Sequence, residues 1–329
     1  MPKVSVLIPF RNTAKYVQDC IDSMQAQTYS DFEVVWVDDH SEDETARIIM
    51  QAKDARFQMI QNVGNGIADA LNTGSQYCRA PYIARMDADD LMPANRLALQ
   101  ATWLDSHPNT GLVSGQVSLF PNTSENAGYA RYVSWINSLK TDVEIRLARF
   151  AESPLAHPSV MFRKSLTTKF GSWEHGDFPE DYALWLQWLE AGVVMEKIPE
   201  LVLHWRDHGA RLSRQSLRYR EEAFAQVKLP YLLRYLEKVA SGREIWIWGD
   251  GRKARKFAGS ISAAGITIEG KIEVDTRRCK GNVKHYTQLG EPQGRFVLSA
   301  VGNAGASAQI RDFLLAQGWQ EGIDFVMCA

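Results

Sequence analysis

The chain has 329 residues, with 37 lysines and arginines against 39 aspartates and glutamates and an ordinary apolar fraction of 45%. That length suffices for two domains with cores of their own, and the balanced charge lacks the basic excess of a non-specific nucleic-acid binder, so no nucleic-acid partner is expected. Cys20, Cys78, Cys279 and Cys328 form no close-spaced pair, which argues against a zinc cluster or disulfide framework and fits a reducing cytoplasm.

The first residues hold too short an apolar run for a signal peptide, and no stretch approaches the ~20 apolar residues of a membrane span. Residues 4–8 form a β-branched run, a buried-strand pattern, and a helix follows with Val17, Cys20, Ile21 and Met24 on one face. Strand is then expected over 33–37, helix over 42–53, strand over 57–60, helix over 67–79 and strand over 82–86. The alternation predicts an α/β fold with a mainly parallel sheet covered by helices on both faces. Ligands of such sheets bind beyond the carboxyl ends of the strands. By that rule the tips after Ile8, Val37 and Met86 meet at one crevice. They carry Pro9, Phe10, Arg11 and Asn12, then Asp38 and Asp39, then Asp87, Asp89 and Asp90. Aspartate is a poor strand residue, and carboxylates spaced one apart, as Asp87 and Asp89 are, can together hold a hard divalent cation. The same acids could instead cap the helix expected near Pro93.

Residues 120–128 read as a loop rich in Asn, Ser, Pro and Gly. Residues 141–150 look helical, 160–163 form a short strand, and 180–191 a largely buried helix in which Trp185 and Trp188 belong to the core. Arg206, Arg211, Arg214, Arg218 and Arg220 follow closely. Such a run commonly marks a solvated helix face; its alternative is a basic surface for a diphosphate or an anionic lipid-linked acceptor. A connecting helix over 221–240 divides the chain into residues 1–220, this linker, and 241–329. In the last segment a strand at 244–248 runs into Gly249-Asp250-Gly251-Arg252-Lys253-Ala254 and a helix to about Ala264. This fits the G-x-G-x-x-A turn of a small Rossmann-like domain, with Asp275 expected to end the next strand and 296–301 to form another. The segment is short, half of a full dinucleotide fold. A structural, oligomerising or regulatory module is therefore favoured over a nucleotide site, and homo-oligomerisation through 241–329 or docking is expected from its free sheet edge.

The segments at 4–12 (VSVLIPFRN), 37–45 (VDDHSEDET), 66–74 (GIADALNTG), 82–90 (YIARMDADD), 157–163 (HPSVMFR), 180–186 (EDYALWL) and 205–208 (WRDH) stand in the order and spacing of the family-two inverting glycosyltransferases. Roughly the first two thirds of the chain resembles that family, whose nucleotide-sugar-binding fold is called GT-A. The resemblance implies metal-dependent, inverting transfer of a hexosyl or N-acetylhexosaminyl group from a nucleotide sugar, UDP-linked, to a hydroxyl. The acceptor would be a glycan or a lipid-linked precursor in cell-surface glycan synthesis, met in the cytoplasm or at the inner face of the membrane. On the family's pattern Asp39 accepts the uracil N3–H, while Pro9, Phe10 and Arg11 lie against the base. Gly66 opens a helix whose N–H groups face the nucleotide, and Arg85 and Asp87 stand beside the donor. Asp89, Asp87 and His208 resemble the ligands of Mn²⁺ or Mg²⁺. Asp181 resembles the general base that takes the acceptor proton, although it could simply favour the start of its helix through the dipole. His157, Glu180 and Asp90 would contact the acceptor or support those groups. Two rivals remain: a sugar-1-phosphate nucleotidyltransferase, which normally places a glycine-rich basic loop where Pro9–Asn12 stands, and a non-catalytic nucleotide-sugar-binding protein.

Overall fold

The structure, a computed structural model, describes residues 1–121 and 127–329, so part of the loop expected over 120–128 lies outside the described residues. The chain divides into two compact units, Met1–Ile145 with Pro154–Ala223, and Arg146–Ser153 with Phe224–Ala329.

The first unit is built on β1 (Val4–Phe10), β2 (Phe32–Asp38), β3 (Phe57–Gln61), β4 (Tyr82–Arg85), β5 (Thr110–Phe120), β6 (Met161–Arg163) and β7 (Val194–Arg206). They form one sheet in the order β3-β2-β1-β4-β6-β5-β7. β1 pairs in parallel with both β2 and β4, and β6 is antiparallel to β4 and β5. Every residue of β1, β2 and β4 is buried, as expected of central parallel strands covered on both faces. The covering helices include α1 (Val17–Gln25), α2 (Thr45–Gln51), α3 (Ile67–Tyr77) and α4 (Arg96–Ser106). α1 buries Val17, Cys20, Ile21 and Met24, the stripe its spacing dictates. α3 lies so close to the sheet that a β-carbon on Gly74 would overlap Leu7 and Val37. Because β1 sits between β2 and β4, the three tips are side by side, with acids on the outer two.

Later elements depart further from the expectation. β5 and β7 are the longest strands of the unit, of 11 and 13 residues, yet β5 contains Gly111, Gly115 and several polar residues that blur its pattern. Their pairing is irregular between Ser114 and Gln116, where β7 passes Pro199; a bulge is where a strand tolerates proline. The remaining helices of this unit are α5 (Ala127–Ser138), α6 (Asp142–Ala148, which runs into the second unit), α7 (Ser165–Phe170), α8 (Glu180–Glu190) and the short α9 (Leu212–Gln215).

The second unit contains α10 (Glu221–Val239), β8 (Glu244–Trp248), α11 (Arg252–Ala263), β9 (Ile268–Glu273), β10 (Val283–His285), β11 (Arg295–Ser299), α12 (Ala304–Ala316) and β12 (Phe325–Met327). Its sheet is wholly parallel, in the order β10-β9-β8-β11-β12. Five strands exceed the half fold expected. Asp275 does not end a strand: β9 stops at Glu273, and Asp275 instead caps a short 3₁₀ turn by accepting the Arg277 backbone N–H. From Phe224 onward, α10 groups with the second unit, where Leu232 and Leu236 are buried. Among the described residues no helix is long and apolar enough to cross a membrane.

Candidate active site

β4 ends at Arg85, and the chain then turns through three aspartates. One carboxylate oxygen each of Asp87, Asp89 and Asp90 lies within 4.8 Å of the others. The helix-capping alternative does not hold, because the cap of α4 is Asn95, and the one side chain among the described residues that takes an N–H of its first turn is Gln27, which accepts from Leu97 at 3.2 Å. Asp89 Oδ2 is 2.7 Å from His208 Nε2, and the His208 ring packs on Tyr16 at 4.4 Å. Asp90 has no exposed surface. Its Oδ1 accepts the Arg206 backbone N–H at 2.7 Å, while its buried Oδ2 has no partner among the described residues. Arg206 also donates to the Asp89 carbonyl at 2.7 Å and to Asp19 at 2.6 Å. Arg211 stands 3.9 Å from both Asp87 and Asp90.

Burial pushes Asp87 above the usual carboxylate range, with Arg85 opposing, and drives Asp90 well above it with the repulsion of Asp89 added. Burial acts upward on Asp89 too, but the His208 hydrogen bond and the Arg211 charge outweigh it and hold Asp89 below the range. A crowded set of carboxylates, two of them raised by burial and one with an orphaned buried oxygen, leaves acceptor capacity unused. It is an oxygen donor set that a hard divalent cation fits.

At the neighbouring tips, the Asp39 carboxylate is buried and accepts from Asn62 Nδ2 at 2.6 Å and from the Gly66 N–H at 3.0 Å. Gly66 has φ +91°, a left-handed conformation that favours glycine. Its amide is therefore engaged with Asp39, and the pair acts as one unit at the start of α3. Asn12 takes the Glu42 N–H on its Oδ1 and gives its own N–H to Ser41 Oγ, tying the β1 tip to the β2 tip. Pro9 and Phe10 are buried within β1, and the Phe10 ring meets Trp36 edge-on at 6.2 Å. Phe10 thus faces the core, and the Arg11 side chain is the exposed one of the three.

The third group lies at the start of α8. Trp173 Nε1 donates to His157 Nε2 at 3.0 Å. An indole N–H can only donate, so that imidazole nitrogen is unprotonated and the proton belongs on Nδ1, 3.7 Å from Glu180 Oε1. Burial, with Arg85 assisting, lowers His157 to about 4, so it is neutral. Glu180 is almost fully buried and also receives the Tyr219 hydroxyl at 3.1 Å, with Arg218 3.9 Å away. Asp181 Oδ1 accepts the Tyr182 N–H at 2.7 Å. Burial first, and the Glu180 charge second, raise Asp181 to about 7.

Arg85 connects the first and third groups. Its guanidinium is 2% exposed, ion-pairs with Asp87, and has no hydrogen-bond partner for Nε among the described residues. Its charge also favours the ionised forms of Glu180 and Asp181. Trp185 and Trp188 are fully buried, as core residues. The arginine run is divided: Arg206, Arg211 and Arg218 turn onto the acids, whereas Arg214, paired with Asp207 at 2.6 Å, and Arg220 are exposed. The sequence reading missed Tyr16, Trp173 and Tyr219. Their only signal is an aromatic residue near a recognisable acid or histidine, which the chain offers in many places.

The family model described as Glycosyl transferase family 2 matches residues 5–171, ending before α8. An amylovoran biosynthesis glycosyltransferase, AmsE, of Erwinia amylovora is 29% identical over 209 residues, 61% of this chain and 75% of its own length. An O-antigen biosynthesis glycosyltransferase, WbnJ, of Escherichia coli is 28% identical over 225 residues, 66% of this chain and 85% of its own. The crystal structure of residues 1–349 of S. aureus TarS, in complex with UDP-GlcNAc, superposes with a TM-score of 0.57 at 16% identity, covering 79% of this chain and 73% of that one. In another TarS crystal structure the match spans 40% of that chain. The TarS likeness shows a shared fold.

Proposed function

The chain belongs to glycosyl transferase family 2, and from that premise we propose an inverting, divalent-metal-dependent transfer of a sugar from a UDP-linked donor to a hydroxyl acceptor in cell-surface glycan synthesis. One observation carries the proposal: an aspartate cluster with an orphaned buried carboxylate oxygen and a carboxyl poised near neutrality are joined by one buried arginine, Arg85. The crystallised UDP-GlcNAc complex of TarS and the polysaccharide-synthesis names of AmsE and WbnJ point to the same donor and product class.

In this mechanism Asp87 and Asp89 would hold Mn²⁺ or Mg²⁺, with Asp90 and His208 orienting them. When bound, the ion supplies Lewis-acid stabilisation of the departing diphosphate. Asp39, fixed by Asn62 and Gly66, reads the base, and Arg11 lies over it. Asp181 removes the acceptor proton as the hydroxyl attacks the anomeric carbon from the face opposite the leaving group. Glu180, held by His157 and Tyr219, keeps the Asp181 proton affinity high enough for that task. The acceptor is a glycan or lipid-linked precursor, met at the inner face of the membrane.

Asp181→Asn keeps the size of the side chain and removes the base. Donor binding should persist while turnover falls at least about a hundredfold, the lower end for a lost general base. Near-normal kcat at saturating acceptor, or a product with the donor's anomeric configuration by NMR, would sink the reading.

A further inference from the structure

We propose that Trp173 is a positioning residue for the acid pair at the start of α8, acting through His157; the proposal rests on the reading of Asp181 as the base. His157 has two ring nitrogens to satisfy. Its Nε2 takes the Trp173 indole N–H at 3.0 Å, and its Nδ1 lies 3.7 Å from Glu180 Oε1. Because an indole N–H only donates, it fixes both the tautomer and the charge of the imidazole. A proton on Nε2 would set two N–H groups head to head, which disfavours the imidazolium while Trp173 stays in place.

Packing and one distant hydrogen bond hold Trp173 there. It lies between α7 and α8, 2% exposed, and its carbonyl accepts from Asn72 Nδ2 of α3 at 2.7 Å. Its ring meets Phe162 of β6 edge-on at 6.0 Å. The Trp185 ring meets the His157 imidazole edge-on at 5.7 Å, so the histidine is enclosed by aromatic carbon as well as by Glu180. A phenylalanine at 173 would supply the edge-on contact with Phe162 but not the N–H.

The charge of His157 matters because Glu180 raises the proton affinity of Asp181 only while its own charge is not cancelled. Tyr219 donates to Glu180 at 3.1 Å, Arg218 stands 3.9 Å away, and Arg85 favours the ionised form of both acids. A neutral His157 adds a hydrogen-bond donor to this group and no charge. An imidazolium at the same place would pair with Glu180 and remove much of its repulsion of Asp181. Burial, with Arg85 assisting, also keeps His157 neutral, but burial does not choose which nitrogen carries the proton; Trp173 does. Removing the indole also leaves room beside Nε2 in which a water could solvate a charged ring.

The tautomer can be read without turnover, by NMR of the full-length protein carrying ¹⁵N-labelled histidine. The His157 signals, identified by their loss in His157→Gln, should show a neutral ring protonated on Nδ1 at pH about 6 to 8. Trp173→Phe should raise the protonation midpoint of His157 by about one pH unit or more, as expected for a lost hydrogen bond to the neutral form. It should also move the rise of kcat with pH to lower pH, because a charged His157 lowers the Asp181 proton affinity. In a His157→Gln background, which has no imidazole to charge, Trp173→Phe should leave the midpoint of that rise in place. A parent protein whose His157 is charged or protonated on Nε2 overturns the proposal. So does a kcat profile that Trp173→Phe leaves in place, or one that it still moves without His157. Near-normal kcat in Asp181→Asn would instead overturn the reading of the base, and the NMR signals tell that failure from this one.

Discussion

Asp89 and Asp181 are both aspartates near buried positive charge, yet their surroundings push them in opposite directions. Asp89 has His208 at 2.7 Å and stays ionised; Asp181 has Glu180 beside it and holds its proton to about pH 7. This separation suits one residue to a cation and the other to a proton. Asp89→Ala should abolish Mn²⁺-dependent UDP binding in a calorimetric titration while leaving the thermal unfolding cooperative. Unchanged metal-dependent affinity would remove Asp89 from the ligand set. Asp181 acts as a base only when deprotonated, so kcat should rise with pH through about 7 and level off above it. Glu180→Gln removes a neighbouring negative charge, which lowers the Asp181 proton affinity and should move that rise to lower pH. A pH profile that Glu180→Gln leaves in place would show that another group titrates.

At the scale of elements, the crevice exists because α3 can approach β1 and β2 without a side chain at Gly74. α3 begins at the Gly66 that holds Asp39, so its seating sets the base-reading end of the site. Gly74→Ala should cost about 1–3 kcal/mol, the usual range for overpacking, measured by denaturant unfolding. It should also weaken UDP binding by displacing Gly66 from Asp39. An unfolding midpoint equal to that of the parent would mean the sheet yields at Leu7 and Val37. β5 and β7 illustrate the converse: each is a poor strand by local pattern and becomes one through their mutual pairing.

The second unit begins at Phe224, close to the boundary expected at 220, and also takes in residues 146–153. Phe150 is 1% exposed, packs on Tyr235 of α10 at 5.4 Å, and its carbonyl accepts from Lys228 Nζ at 2.8 Å. Residues 146–153 and α10 thus share the core of the second unit. A chain ending at residue 240 keeps α10 but loses Phe296 and Gly322, which Tyr235 of α10 contacts. It should self-associate or bind a hydrophobic dye by light scattering or fluorescence, while UDP binding persists. A truncated chain that stays monodisperse, with the oligomeric order of the full-length protein, would show that α10 needs no partner. For self-association through 241–329, β12 offers little edge, since all three of its residues are buried. The exposed edge is β10, three residues long with Lys284 at its centre, the kind of strand that discourages pairing.

The sequence by itself determined the α/β class, the order of elements through residue 106, the glycosyltransferase family and the acids of the candidate site. These are legible because strands buried on both faces are continuously apolar, amphipathic helices repeat at 3.6 residues, and Asp87, Asp89 and Asp181 stand in local motifs. Only the tertiary structure decided that Arg206, Arg211 and Arg218 face those acids, that His157 is neutral with its proton toward Glu180, and that Gly66 serves Asp39. It also decided that α10 belongs to the second unit. These facts rest on pairings between positions up to more than a hundred residues apart, such as Asp90 with Arg206. Local spacing carries no record of which distant polar group will be desolvated beside which, and desolvation sets their charges.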